Sequence, residues 1–360
     1  MKTAAFLLLL TLQTAAAQTP PQLDTLRTEG YEALYNLDYQ TARKRFQKMI
    51  DLAPEHPAGA QCYASSLWLE QLNGASELKA TLYSSDAYAT TRARADRKQV
   101  NEFRKWIRQA KQLAEARLRK DPKDVDALYY LGAAEGLEAA FSAGVERKFM
   151  AALRSGSKSV DHHRDVLKLS PDYPDAELTI GLQNYIVGSL PLALKMMVAT
   201  MGVRGSKKRG LETVEKVAAE GQHARDLARV MLVDLYRREK RWAEAVQIAH
   251  ELSEKYPRNY LFKLQMADAL GSQILTLRKS KTPSAVEEKE LTNLFSSLFR
   301  DKTLDASTID LVHFRYGETL LALGQSDAAA REFTAVVNRT AADTDLKNLA
   351  RQRLDQIRKR

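Results

Sequence analysis

The sequence predicts an all-α fold, a solenoid of about seven antiparallel helix pairs. Three observations carry that expectation. Small residues recur twelve positions apart, an aromatic residue or a further alanine follows four positions later, and a proline often stands twelve positions beyond the second small residue. Gly30, Ala42, Phe46 and Pro54 are in register with Val233, Ala245, Ala249 and Pro257, and with Gly317, Ala329 and Phe333. Two short helices approach closely only where their side chains are small. A larger side chain one turn on fills the space they leave, and a proline stops the second helix before the next pair begins.

Taken in order, the chain opens on "MKTAAFLLLLTLQTAAAQ", with one lysine, an apolar run from Ala4 to Leu12, and Ala15-Ala16-Ala17 before Gln18. These are the three regions of a secretory signal peptide, assigned to residues 1–17 with cleavage expected after Ala17. The run is shorter than the ~20 residues of a membrane-spanning helix, so no transmembrane span is expected in the mature chain. No cysteine stands at the cleavage site to carry a lipid anchor. The expected location is the periplasm or the medium of a bacterium.

Residues 18–360 are then expected to form one helical-repeat domain. Residues 23–56, 226–259 and 310–343 are full-length repeats, and 260–306 is a degenerate unit with Ala267 in the small-residue place. Three units, 57–124, 125–173 and 174–225, are expanded. Their small residues stand further apart: 46 positions from Ala64 to Ala110, 27 from Gly132 to Ser159, and 29 from Gly181 to Gly210. The extra length falls at the hairpin end of each unit, where insertions in solenoids often serve binding. The stretch Leu72–Gln99 is the largest and most polar of them.

This grammar resembles that of the tetratricopeptide-repeat (TPR) family, with its period of ~34 residues and its W-x2-L-G-x2-Y…A-x3-F…P signature. The resemblance implies a right-handed superhelix whose concave face holds a protein or peptide. The family's groove positions fall here on Tyr31, Leu34, Tyr35, Gln61, Ser65, Trp68, Tyr129, Leu182, Tyr185, Asp234 and Arg237. Tyrosine and tryptophan offer large contact area with few torsions to freeze, which suits a peptide groove. The family's carboxylate clamp of Lys, Asn and Arg is incomplete in this sequence. Residues Asp175–Val214 also resemble, more loosely, the tetratricopeptide-repeat-39 family, which has a yeast relative in the outer mitochondrial membrane. That likeness implies extended helical pairs and a scaffolding role.

Composition narrows the function. Of 360 residues 44% are hydrophobic, enough for a sizeable core, and the formal charge is +10. A basic chain confined to the cytosol would suggest nucleic acid. Export argues against that: an anionic envelope surface of lipid or cell-wall polymer, or an acidic protein, fits better as an electrostatic partner, against the plainer expectation of a soluble, mildly basic surface. Cys62 is the sole cysteine, so no intrachain disulfide can form; it is expected as a small buried apolar residue.

Catalytic and metal signatures are missing from the sequence. The six histidines include no H-E-x-x-H, and His162-His163 would point about 100° apart on a helix, so neither metal nor cofactor is expected. There is no G-x-S-x-G, and "GVRGSKKRG" (Gly202–Gly210) lacks the ending of a phosphate loop. Its Arg204, Lys207, Lys208 and Arg209 could still meet an anion at a helix start, against the plainer expectation of a solvated turn. Just before it, "YIVGSLPLALKMMVATMGV" (Tyr185–Val203) carries one charge, Lys195. Gly188 and Pro191 interrupt it, so it is expected to be buried as an extra core helix. The first alternative is exposure, which together with the basic turn would make a lipid-associated scaffold. A second alternative is a cell-envelope hydrolase whose site has no recognised motif.

Overall fold

Aspartates start several of the helices. Asp38, Asp124, Asp305 and Asp343 each accept a backbone N–H from the first turn that follows, satisfying a donor that the helix itself leaves unpaired. Within the hairpins the chain reverses through left-handed residues: Leu37, Arg147, Lys240 and Lys281 have φ of 55–63°, and Gly202 and Gly324 are glycines with φ of 80° and 79°. In the first, third, fifth, sixth and seventh pairs such a residue stands between the two helices.

The computed structural model describes residues 21–74, 97–200, 202–339 and 342–359, and among them are sixteen α-helices, one short 3-10 turn and no strand. The helices pair in chain order: α1 (Pro21–Tyr35) with α2 (Tyr39–Leu52), α3 (Pro57–Gly74) with α4 (Arg97–Lys120), and α5 (Val125–Gly144) with α6 (Phe149–Leu169). After a 3-10 turn at Pro174–Ala176, α7 (Glu177–Ser189) pairs with α9 (Lys207–Glu220), and α8 (Leu192–Thr200) lies between them in sequence. Then come α10 (Arg225–Arg238) with α11 (Trp242–Lys255), α12 (Tyr260–Lys279) with α13 (Ala285–Arg300), and α14 (Ala306–Ala322) with α15 (Ser326–Asn338). A final helix, α16 (Thr344–Arg358), lays Leu346 and Ala350 over Phe314 and Phe333 and covers the last pair. The leader expected at residues 1–17 and most of the Leu72–Gln99 insertion lie outside the described residues.

The widely spaced small residues of the expanded units meet. The Ser159 hydroxyl donates to the Gly132 carbonyl at 2.7 Å. A Cβ on Gly210 would stand 2.7 Å from the Gly181 carbonyl and would run into the backbone of Tyr185. Here α7 and α9 touch backbone to backbone, with Gly188 set against Ser206 and Lys207.

That closeness corrects one expectation. The segment Leu192–Thr200 is not a core helix. Leu192 is 73% exposed, Met196 61% and Met197 49%, and Val198 is the one buried side chain of α8. Two helices in backbone contact leave no room for a third between them, so the nine residues of α8 are pushed out beyond the hairpin.

The stack also curls back on itself. Tyr35, at the end of α1, joins a core cluster built from α10 to α14, and its ring lies 5.1 Å from that of Tyr256. The Asn259 side-chain amide donates to the Tyr35 carbonyl at 2.7 Å, and the Arg258 backbone N–H donates to the Asn36 side chain at 3.2 Å. The first pair is thus clasped to the turn that follows the fifth.

Candidate functional site

Where the curl brings α1 opposite α10 and α11, it leaves a cleft of about 160 Å³. Its floor is aromatic. Tyr31 and Tyr35 come from successive turns of α1, their rings 6.0 Å apart, and Tyr256 follows α11. Thr28, Glu32, Gln222 and Lys255 form an exposed rim. Arg27, His223 and Asp226 complete the lining.

Each side chain is placed by its neighbours. The turn before α10 is pinned by Asp175, which accepts the backbone N–H groups of Gln222, His223 and Ala224 at 2.8, 2.9 and 3.1 Å. Three N–H donors on one buried carboxylate fix the turn that carries His223 and the start of α10, which carries Asp226. Asp226 in turn accepts from the Tyr256 hydroxyl at 2.6 Å and from the Lys255 ammonium at 2.7 Å. Burial and this carboxylate hold the Tyr256 phenol well above its ordinary pKa, so it acts as a hydrogen-bond donor and not as an acid. The buried Arg27 guanidinium donates to the Tyr130 hydroxyl at 2.7 Å and also meets Asp24 and His223. Desolvation, with Arg27 beside it, lowers the His223 pKa and favours the neutral imidazole. The cleft is therefore a mixed site, with an aromatic base, one imidazole, and charges of both signs at its edge.

Of the positions that the family resemblance puts in a groove, the structure brings Tyr31 and Tyr35 together in this cleft. The others lie elsewhere. Gln61 is buried and donates to Ser65 at 3.2 Å. Trp68 is half-buried with its ring 5.8 Å from Phe141. Tyr129 is buried among Tyr130, His163 and Tyr173. Tyr185 is buried and its hydroxyl donates to Glu239 at 2.6 Å. Asp234 pairs with Arg237 at 3.5 Å, and Arg237 reaches Asp268 at 3.7 Å. In the basic turn Arg204, Lys207, Lys208 and Arg209 are all exposed; Lys207 pairs with Glu239 at 2.8 Å, and Ser206 caps α9 by accepting the Arg209 N–H. Cys62 is fully buried, and burial raises its thiol to about 11. Among the described residues no group of three or more His, Cys, Asp or Glu is placed to hold a metal ion.

Sequence reasoning missed Arg27, Glu32, His223, Asp226, Lys255 and Tyr256. No local spacing marks them, because they meet through a contact more than 190 positions long, as between Arg27 and His223.

Beneath the cleft the repeat unit itself can be read. Tyr31 rests edge-on against Phe46, 5.5 Å between ring centres, and the Phe46 ring fills the place of a side chain at Gly30. Near the other end the Phe333 ring does the same at Gly317, where a Cβ would stand 2.7 Å from it. Glycine on the first helix, aromatic on the second, and the same packing in distant pairs decide the matter. The chain has a TPR-like fold. Several solved structures bear a distant likeness to the chain, each with a TM-score below 0.5. A thermophilic TPR protein of Thermus thermophilus, TTC0263, is 15% identical, with a TM-score of 0.38, over 69% of this chain and 98% of that one. A tetratricopeptide repeat protein from Parabacteroides merdae is 12% identical with a TM-score of 0.34, over 94% of this chain and 99% of that one. The human IFIT1 dimer with m7Gppp-AAAA is 13% identical with a TM-score of 0.35, over 94% of this chain and 86% of that one. No family model matches the chain, and no curated protein does.

Proposed function

We propose that the chain is a non-catalytic scaffold that holds a protein or peptide partner in the bacterial cell envelope, with the partner seated at the cleft between α1 and the start of α10. The observation that carries this reading is the cleft's make-up. Tyr31, Tyr35 and Tyr256 supply rigid aromatic area, and Glu32, Gln222, His223 and Lys255 supply a polar rim within reach of a peptide backbone. An aromatic centre inside a polar rim is the usual anatomy of a protein-binding spot. Export rests on the leader at residues 1–17, and the absence of a hydrolase motif in the sequence supports binding over catalysis.

A photo-crosslinking amino acid at Thr28 or Gln222 tests the site in cells, with Lys48 on α2 as the control position. Adducts to a discrete partner from the two rim positions, abolished by Glu32→Lys and absent from Lys48, are expected. Equal adducts from all three positions would remove the cleft from the account. Export is tested by sequencing the N-terminus of the chain from fractionated cells. A new terminus at Gln18 in the periplasm is expected, and an intact Met1 in the cytosol would overturn it.

A further inference from the structure

The displaced helix has a chemistry that the cleft does not use. Along α8 and the end of α7, Ile186, Leu192, Leu194, Met196 and Met197 are exposed apolar side chains with no described helix covering them. At the hairpin end of the preceding pair, Phe149 is 64% exposed and Met150 56%. Isolated exposed leucines are ordinary on protein surfaces. A run of large apolar residues at one end of two stacked pairs is not.

Charge says what should cover it. From Leu178 to Leu211 there are five basic residues, Lys195, Arg204, Lys207, Lys208 and Arg209, and not one Asp or Glu. Four of the five follow α8: Arg204 on the connection and Lys207, Lys208 and Arg209 in the first turn of α9, where Lys207 pairs with Glu239 at 2.8 Å and Lys208 stands 3.8 Å from Glu212. Apolar side chains together with an excess of cations suit the boundary of an anionic bilayer: the apolar groups enter the acyl margin while the cations meet headgroup phosphates. A second copy of this chain fits poorly, because a symmetric contact through α8 would set one basic cluster against another. Spanning is also excluded for this element. Nine residues of helix reach roughly 14 Å, about half the thickness of a hydrocarbon core, and no described helix is long and apolar enough to cross a membrane.

We propose that α8 and the basic turn after it form a peripheral docking element for anionic phospholipid surfaces. α8 lies in the plane of the interface with Leu192, Met196 and Met197 inserted, and Arg204, Lys208 and Arg209 hold the headgroups. The surface is independent of the cleft between α1 and α10, so either can fail without the other.

The test is flotation of the full chain with vesicles of phosphatidylcholine alone or mixed with phosphatidylglycerol, at low ionic strength. Binding to the mixed vesicles, at least about tenfold tighter than to the neutral ones, is expected from several phosphate contacts. Met196→Glu and Leu192→Glu change exposed positions that make no core, and each should weaken binding about tenfold or more. Lys208→Glu with Arg209→Glu should remove the preference for anionic lipid. A Met197→Trp variant reports insertion by a blue shift of its emission when mixed vesicles are added. Failure of the wild-type chain to float with mixed vesicles overturns the proposal. So does undiminished binding by Met196→Glu and Leu192→Glu, or an unshifted Met197→Trp emission on vesicles that have bound the chain. A wild-type dimer that Leu192→Glu turns to monomer, with no flotation, would assign the face to self-association instead.

Discussion

At the scale of single residues, the fold tolerates polar groups in its interior where each finds a partner. His163 shows this most clearly. Its Nε2–H donates to the Tyr129 carbonyl at 3.1 Å, its Nδ1 accepts from the Thr179 hydroxyl, and its ring fills the space beside Gly132. Burial lowers its pKa to about 4, against about 6.5 in an unfolded chain. Between those values the unfolded chain binds a proton that the folded chain does not, so stability falls as pH drops through that window. The loss should approach roughly 3 kcal/mol at the acid end. Urea unfolding of wild type and His163→Gln at a series of pH values checks this: the variant should show a shallower decline below neutrality. Parallel curves for the two proteins would mean that the imidazole titrates freely. The sequence shows His162-His163 as a pair and correctly separates the two around the helix. It does not show which one faces inward, since that depends on where Gly132 and Tyr129 stand on the neighbouring helix.

At the scale of helices, small residues set how near two rods can come, and what faces them sets the penalty for enlarging them. Gly317 faces the ring of Phe333, whereas Gly210 faces the backbone of α7 at Gly181 and Tyr185. A ring can tilt, but a packed backbone can move only with its whole helix. Gly317→Ala should therefore cost about 1–2 kcal/mol. Gly210→Ala should cost more, about 3 kcal/mol or above, and should pull α7 away from α9. Chemical denaturation of the two variants checks the order, and equal losses would mean that α7 and α9 are less tightly apposed than described. The pairs themselves were legible because the repeat of small residues is local and its geometry is obligatory. The fate of α8 was not. Its composition reads as core, and only the closeness of α7 to α9, which spacing alone does not give, shows that it has no place inside.

At the scale of the whole molecule, most contacts join neighbours in the stack, as expected of a solenoid, but the clasp between α1 and the turn at Arg258–Asn259 does not. Asn259 has two jobs, since its side chain also accepts the Leu261 N–H at the start of α12. Asn259→Asp keeps that acceptor and removes the donor to Tyr35, so it separates the clasp from the cap. Hydrogen exchange should then speed up in the last turn of α1 while α12 stays protected. Unchanged exchange at Ala33–Tyr35 would show that the clasp adds nothing to the hold on α1. The overall architecture was readable from the repeat, but the candidate site was readable only in part. Tyr31 and Tyr35 were found through their position in a repeat. Their partners across the cleft were hidden, because the amount of curl is the sum of many small rotations from one pair to the next.

The clasp bears on the order in which the chain acquires its structure. Tyr35 and Asn259 are 224 positions apart, whereas a neighbour-to-neighbour stack can condense a little at a time as the polypeptide emerges. The end of the first rod therefore stays unfinished until nearly three quarters of the polypeptide has been made, and the cleft cannot exist on any shorter nascent fragment. A partner that recognises the cleft would by that fact distinguish completed molecules from partial ones.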